Sequence, residues 1–573
     1  MTAGSHEHGV GTGVRIARLV YLGMGLLAIG CRGSSERGTP PEVREARPAL
    51  FTEITLEVGL ADHSPRWPDG TFASPEVIGG GVALFDYDND GDLDLYQVRH
   101  PPPGRPDEPA SNRLLQQQPD GRFRDVTGEA GVGDPGYGQG VAIGDVDNDG
   151  NVDIYVTNYG ADTFYRNNGD GSLVESAVFP DFDRERWSVS ATFCDYDGDG
   201  WLDLYVVHYL MYDAQTVCVG SSGEPDYCGP KVYHGAPDVL YRNDGDGTFT
   251  DMTGAAGIHF PAGGQVARGL GVVCADLTGD GLPDFYVAND GERNFLWVNQ
   301  GDGTFRDEAI LRGVAVNGEG EAEGSMGVAV GDVDGDGTFD LLATHIGLEH
   351  NTLYLQGRHD LFSDHSVESR LALHDRPFTG FGCGFFDYDN DGDLDLAVVN
   401  GRVERGPRAD SFWARYAEPN LLFANEGNAV FANVSDSAGS FASHVAVSRG
   451  LAFGDLDEDG DVDMVMNNVD NALRVFRNDA PPAGRHWLVV RPLSDGRHAL
   501  GVRVIARAGE REFHRLAASG YSYASSNDPS AHFGLGDVES IDELEVVWSD
   551  GTRERFPCGG VDRVLTVNRG TGS

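Results

Sequence analysis

Basic side chains are scarce in this sequence: 42 Lys and Arg stand against 91 Asp and Glu, a formal charge of −49. That deficit excludes direct binding to nucleic acid or to an anionic lipid surface, since both demand basic patches. Long apolar runs are missing beyond the N-terminus, so no later stretch is fit to span a bilayer. Gly-x-Ser-x-Gly, His-Glu-x-x-His and phosphate-loop patterns are absent, which removes the commonest hydrolase, metallopeptidase and nucleotide-binding signatures. Cysteine is sparse, 7 in 573 residues, with no Cys-x-x-Cys or His-x-x-x-His to suggest zinc. The acidity does not mean disorder, because 40% of the chain is hydrophobic and 10% aromatic. Such a length predicts several domains or one large closed architecture. Glycine, 80 residues, is about twice ordinary usage without a collagen-like period, so it serves many tight turns.

Residues 1–31 read as a secretory signal. Arg15 and Arg18 precede a short apolar run, Leu19 to Ile29, too short to span. Ala28-Ile29-Gly30-Cys31 resembles a bacterial lipobox, which makes Cys31 the acylated first residue of the mature chain. Residues 32–50, rich in charge, Pro, Gly and Ser, form a flexible tether. The expected location is extracytoplasmic: an outer-membrane or cell-surface lipoprotein, or otherwise a secreted or periplasmic protein. Cys218 and Cys228 bracket a Gly/Ser/Pro loop and are expected to pair as a local disulfide in an oxidising compartment. Cys194, Cys274 and Cys383 lie in apolar runs and read as buried thiols.

What the chain has in abundance is patterned acid. Asp-x-Asp-x-Asp-Gly-x-x-Asp recurs seven times. Position 1 is Asp86, Asp145, Asp195, Asp276, Asp332, Asp387 and Asp455; position 3 is Asp88, Asp147, Asp197, Thr278, Asp334, Asp389 and Asp457. Position 5 is Asp90, Asp149, Asp199, Asp280, Asp336, Asp391 and Asp459; position 9 is Asp94, Asp153, Asp203, Asp284, Asp340, Asp395 and Asp463. Oxygen ligands at 1, 3, 5 and 9, with a carbonyl near 7, suit Ca²⁺ better than Mg²⁺ or Zn²⁺, and Gly at 6 permits the turn. The flanks read as strands and Glu is missing at position 12, which argues against an EF-hand. Up to one structural Ca²⁺ per repeat is expected, weakest where Thr278 replaces a carboxylate. Without cations the clustered carboxylates repel and destabilise the fold.

Around each loop the same elements return. A Gly-rich apolar run precedes it, as in Gly80 to Phe85, and a β-type run such as Leu93 to Tyr96 follows. Then come a Leu-Tyr or Leu-Phe pair with Asn and Gly-Asp-Gly-Thr-Phe, as in Leu240 to Phe249, and a Phe-x-Asp/Glu-x-Thr element. Four short strands in each of seven units are the signature of an all-β, seven-bladed β-propeller over residues 51–485. The last unit lacks its Phe element, and the strand at Phe51 lies ahead of the first loop, placed to complete the seventh blade and close the ring. Closure removes exposed sheet edges. Residues 486–573 read as a small β domain of alternating strands and Gly turns.

The Asp loops, with Gly450-Leu451-Ala452-Phe453-Gly454-Asp455, resemble FG-GAP/VCBS repeats such as those of integrin α-subunit propellers. The C-terminal region resembles the ASPIC/UnbV domain through Leu500-Gly501-Val502-Arg503-Val504, Ser519-Gly520-Tyr521, Asp528-Pro529, His532 to Gly536 and Val546 to Gly551. Together, with Tyr227-Cys228-Gly229-Pro230, they are similar to bacterial relatives in the cartilage acidic protein family. The resemblance implies a secreted calcium-binding propeller without defining its activity.

Loops joining strands one to two and three to four share one acidic face. On the opposite face stand Arg99, Asn158, His208, Asn289, His345, Asn400 and Asn468, five residues beyond each position-9 Asp. They are expected to form a polar ring among the long insertions His100–Asn112, Tyr209–Asp238 and Gly401–Asn420, the usual location of recognition. Trp67, Trp187 and Trp413 lie in the same loops. The expected function is a monomeric, non-enzymatic binding or adhesion protein taking a protein or glycan ligand there. The alternative is an extracytoplasmic hydrolase or lyase acting on a glycan or secondary metabolite, with His208 and His345 as its acid/base candidates.

Overall fold

The computed structural model describes residues 49–573 apart from seven short segments: 61–66, 106–109, 181–185, 221–222, 259–266, 408–410 and 482–483. The signal segment, Cys31 and nearly all of the tether lie outside the described residues.

Each Asp loop reverses the chain at two left-handed positions. Position 6 is glycine in every copy, with φ between 87° and 103°. Position 4 is Asn or Gly, or Glu458 in the last copy, with φ between 56° and 76°. Only Gly, and at lower cost Asn, adopts this backbone readily. The reversal makes a hairpin of the first two strands. In blade 1, Val82–Phe85, Asp94–Gln97, Arg113–Gln117 and Phe123–Asp125 form an antiparallel sheet in chain order. Five more sheets repeat that order, and the seventh differs in its outer strand. Ser448–Gly454, Asp463–Asn468 and Leu473–Asn478 are completed by Phe51–Glu53, with Phe51 opposite Asn478. The innermost strands stand side by side in chain order, and Ser448–Gly454 returns to lie against Val82–Phe85. The fold is a closed β-propeller of seven four-stranded sheets among the described residues.

Two sets of contacts hold neighbouring blades together. Apolar side chains interdigitate between sheets, as Leu84, Leu95 and Leu115 do with Ala452, Val465 and Val475 across the closing seam. The second set is polar. The Asn or Gln ending each third strand donates its side-chain amide to the position-2 carbonyl of the preceding blade's Asp loop. Asn167 reaches Tyr87 O at 2.8 Å, Asn243 Val146 O at 2.8 Å and Asn299 Tyr196 O at 2.8 Å. Gln356, Asn425 and Asn478 continue to Leu277 O, Val333 O and Tyr388 O, and Gln117 closes the circle on Leu456 O at 2.8 Å. The Asn of the Leu-Tyr-x-Asn repeat is therefore an inter-blade stitch.

The C-terminal domain is two packed four-stranded sheets around Leu488, Val504, Phe533 and Trp548. One contains His486–Ser494 with Ala531–Gly536 antiparallel and Arg563–Asn568 parallel to it; the other contains Val502–Ala508, Arg511–Ala517, Glu543–Val547 and Arg553–Phe556. Its segment Ser519–Asp528 enters the propeller axis and bonds the innermost strands directly. Val141 N donates to Ala524 O at 3.1 Å, Val328 N to Ser522 O at 2.9 Å, Leu84 N to Ser526 O at 3.1 Å and Phe453 N to Asn527 Oδ1 at 3.0 Å. Glycine in the inner strands makes room for this approach: a Cβ on Gly81 falls 2.1 Å from Ala524 O. The channel is filled by the chain itself.

Cys218 and Cys228 are joined, as the loop between them suggests. Cys194 and Cys274 are also joined, linking the inner strands of blades 3 and 4, which corrects their reading as thiols. Cys383 is a buried thiol. Both cysteines of the second pair end inner strands, which the ring sets side by side.

Candidate metal centres

Every Asp loop presents the same graded bowl of oxygens. The position-9 carboxylate is buried, 0–2% exposed, in all seven copies. Both of its oxygens accept backbone amides: Asp94 from Tyr87 N at 3.0 Å and from Gln117 N at 2.7 Å, Asp153 from Val146 N at 3.0 Å and from Asn167 N at 2.8 Å. It thus anchors the loop to the end of the third strand, yet each oxygen keeps a lone pair. Position 1 accepts the position-6 amide, as Asp86 does from Gly91 at 2.9 Å and Asp387 from Gly392 at 2.8 Å. Position 3 is half-buried or exposed except at Thr278, which is buried, and position 5 lies at the surface or close to it.

Carboxylate oxygens of Asp86, Asp88 and Asp90 come within 4.8 Å of one another, as do those of Asp145, Asp147 and Asp153. The same holds for Asp195, Asp197 and Asp199, for Asp332, Asp334 and Asp336, and for Asp387, Asp389 and Asp395. Several of these oxygens are buried without a hydrogen-bond partner: Oδ1 of Asp88, Asp147, Asp195 and Asp276, and Thr278 Oγ1. Buried polar atoms are normally satisfied, so orphans recurring at positions 1 and 3 of the repeat mark a missing partner. Burial pushes the carboxyls of Asp94 and Asp153 up to about 8 and that of Asp455 up to about 7, and neighbouring carboxylates add to the rise. Desolvated, mutually repelling and unpartnered oxygens without nitrogen or sulfur donors fit a hard divalent cation. A divalent ion held there would supply the charge that lets these carboxylates coexist ionised. Thr278 is nearly buried, 5% exposed, so the fourth loop keeps an oxygen but loses a charge.

The opposite face departs from the expected polar ring. Asn158, Asn289, Asn400 and Asn468 are 0–1% exposed, and His208 and His345 are 4% and 1% exposed. Their side chains tie down the chain. Asn158 Nδ2 donates to Asp134 Oδ2 at 2.9 Å, Asn289 to Arg293 O at 3.0 Å, Asn400 to Pro419 O at 2.8 Å and Asn468 to Ala472 O at 2.7 Å. Arg99 is half-buried, with Nη1 on Ser111 O at 3.2 Å. The backbone amides of six of the seven donate to an Asx residue immediately before the third strand: Asn112, Asp162, Asp238, Asn294, Asn351 and Asn420, at 2.7–3.2 Å. That Asx is a second repeat signal, readable in the sequence once the third strands are aligned. The six buried residues cap turns and offer a ligand no surface, while Arg99 is half-buried.

The two histidines belong to different blades, His208 in Asp203–His208 and His345 just after Asp340–Ala343. Burial lowers the His208 imidazole to about 3, so it stays neutral. His345 Nε2 lies 3.0 Å from Ser325 Oγ and 3.7 Å from Glu323 Oε2, while Nδ1 faces His350 O at 2.7 Å. This grouping has the parts of an activated nucleophile, but Ser325 and His345 are each 1% exposed, too deeply buried for a substrate to approach. Trp187 is fully buried with Nε1 on Gln139 Oε1, Trp413 donates to Pro68 O at 2.8 Å, and Trp67 sits edge-on to His100. The tryptophans anchor a roof of loops over the plugged axis, where a cavity of about 60 Å³ remains beneath Val77, Tyr209, Met326 and Phe381.

With this architecture in place, comparison with known proteins is informative. Residues 493–573 match the family described as ASPIC and UnbV, and residues 86–156, 145–206, 223–287 and 276–343 match an FG-GAP-like repeat. Cartilage acidic protein 1 of Mus musculus is 25% identical over 580 residues, covering 94% of this chain and 78% of its own length. Its Homo sapiens counterpart is 25% identical over 556 residues, covering 90% and 75%. Among solved structures, a lectin from Burkholderia pseudomallei is 12% identical with a TM-score of 0.42, covering 70% of this chain and 97% of its own. An Agrocybe aegerita protein titled for recognition of non-reducing terminal N-acetylglucosamine is 18% identical with a TM-score of 0.37, covering 69% and 86%. The chain carries FG-GAP-like repeats followed by a C-terminal ASPIC and UnbV domain, and is homologous to cartilage acidic protein 1 over most of its length.

Proposed function

We propose that this chain is an exported, calcium-stabilised binding protein without catalytic activity, tethered through acyl groups on Cys31, that docks a protein ligand on the face opposite the Asp loops. The Asp-loop face is in large part covered by the C-terminal domain, and the axis is filled by Ser519–Asp528. What remains open is the far face. One observation carries the reading: several large apolar side chains that the propeller leaves exposed lie in the connections of that face. Met211, Val217, Val219 and Val232 lie in the blade 3 insertion; Leu348, Leu373 and Val445 lie in the connections of blades 5 and 6. Val217 is 81% and Leu348 79% exposed. Exposed apolar groups on a rigid, disulfide-braced scaffold suit a protein surface more than a hydrophilic glycan.

The test is a protein and glycan array probed with the mature chain in millimolar calcium, followed by Val217→Asp combined with Leu348→Asp. Both residues are exposed, so the fold is expected to survive. Loss of a protein hit with unchanged melting supports the assignment. A hit that survives the double change, a glycan hit, or turnover of any arrayed probe overturns it.

A further inference from the structure

The C-terminal domain meets the Asp loops through one repeated contact. Arg497 Nη2 donates to Gly200 O at 2.9 Å, Arg503 Nη1 to Gly337 O at 3.0 Å and Arg515 Nη2 to Gly392 O at 3.0 Å. His532 Nε2 stands 2.9 Å from Gly460 O. Each of these carbonyls belongs to a position-6 glycine, in loops 3, 5, 6 and 7. The same guanidinium groups approach position 1: Arg497 is 4.0 Å from Asp195 Oδ2 and Arg515 is 3.9 Å from Asp387 Oδ2. The other oxygen of Asp195, Oδ1, is buried without a partner beside Asp197 and Asp199. One carboxylate therefore turns one oxygen to the candidate cation bowl and the other to the C-terminal domain.

The position-6 carbonyl takes this orientation through the left-handed backbone at positions 4 and 6, with φ of 91° at Gly200, 89° at Gly337 and 103° at Gly392. Repulsion among ionised carboxylates works against that turn, and a cation in the bowl would offset it. Arg497 and Arg515 side chains are only 3% and 8% exposed, so neither finds water as a substitute if the turn is lost.

We infer that Arg497, Arg503 and Arg515 make the C-terminal domain a reader of loop occupancy: cations in loops 3, 5 and 6 and docking of this domain strengthen one another. The inference rests on the calcium reading of the loops. Coupling between two sites is reciprocal, so removing a reading arginine weakens cation uptake. Direct charge repulsion between guanidinium and cation has the opposite sign, and that makes the experiment decisive.

Calcium is titrated into the full mature chain by calorimetry, with bound ions counted by native mass spectrometry. Arg515→Ala is expected to weaken uptake at one or two sites about fivefold or more, while Arg113→Ala, a third-strand change at a residue paired with Asp125, leaves every site unchanged. Unchanged or tighter uptake in Arg515→Ala overturns the inference. Should that variant not fold, hydrogen exchange on the unaltered chain decides. Amides around Arg497, Arg503 and Arg515 are expected to lose protection in chelator together with the loops; protection retained there while the loops lose theirs overturns the coupling alone. No calcium uptake by the unaltered chain overturns the calcium reading and this inference with it.

Discussion

Replacing Asn243 by Ala removes one inter-blade stitch together with two hydrogen bonds inside its own blade. Asn243 is 1% exposed; its amide donates to Val146 O at 2.8 Å and Leu202 O at 3.2 Å, and its oxygen accepts Gly245 N at 3.0 Å. The alanine leaves two buried carbonyls without their side-chain donor. At about 1–3 kcal/mol for each buried group left unsatisfied, the loss is about 2–6 kcal/mol. An unfolding entropy near 2.1 cal/mol/K per residue over roughly 500 ordered residues gives about 1 kcal/mol/K, so the melting temperature should fall by about 2–6 °C. Differential scanning calorimetry in calcium measures this directly. Asn168→Ala is the matched control, since Asn168 is exposed and bonds only Ser172 Oγ; its effect should stay below about 0.5 °C. Because the stitches close a circle, the Asn243→Ala transition should remain single. A drop no larger than that of Asn168→Ala would refute the stitch.

Chelation of purified mature protein should lower its melting temperature by roughly 10 °C, if several sites each contribute about 2 kcal/mol at millimolar calcium; an unchanged melt in EDTA refutes a structural cation. The metal-free form carries carboxyls raised in the folded state, Asp94 and Asp153 to about 8 and Asp455 to about 7. Folding then favours the protonated forms, so this stability is full below about pH 4 and is lost as pH rises through 7–8. Melting in EDTA should therefore fall between pH 5 and 8, and calcium should flatten or reverse the slope. Tyr523→Ala deletes a fully buried plug residue whose ring lies 4.9 Å from Phe381 and whose hydroxyl donates to Ile78 O at 3.0 Å; a loss of about 3–5 kcal/mol is expected in chemical unfolding. Cys194→Ser with Cys274→Ser opens an 80-residue closure and should cost about 2–4 kcal/mol, while non-reducing peptide mapping of the unaltered chain recovers both disulfides.

The parts legible in the sequence are those whose physics is local. A carboxylate bowl needs its ligands at 1, 3, 5 and 9 whatever surrounds it, and a strand announces itself by the residues flanking that bowl. The closing strand at Phe51 was inferable because a sheet edge left bare in the last repeat has to be covered. The parts that were not legible depend on partners distant in the chain. Asn158 or Asn400 looks like a surface polar residue until the Asx before the third strand is seen to hold its amide. Cys194 and Cys274 look like two buried thiols because apolar flanks report burial and say nothing of adjacency.

Ser519–Asp528 is the clearest case of this limit. Ser, Gly, Ala and Asn in a loop ordinarily mean solvent, since their small polar side chains neither drive burial nor resist water. Inside a ring of seven inner strands the same features become the requirement. The axis is too narrow for large side chains where Gly81 and Gly140 bring backbones close, and the inner strands present amides and carbonyls that no neighbouring blade satisfies. A segment of mostly short side chains, with Tyr521 and Tyr523 packed against Phe453 and Phe381, satisfies them with its own backbone polar groups, as Ser522 does with Val328 in both directions at 2.7 and 2.9 Å. The Gly-rich runs and the polar loop are thus two halves of one solution, written more than 30 residues apart at the nearest and more than 400 at the farthest. In the proposed binding role, with the axis filled and the acidic face bonded by Arg497, Arg503 and Arg515, a ligand that leaves the C-terminal domain in place is expected on the opposite face, where Val217 and Leu348 stand exposed.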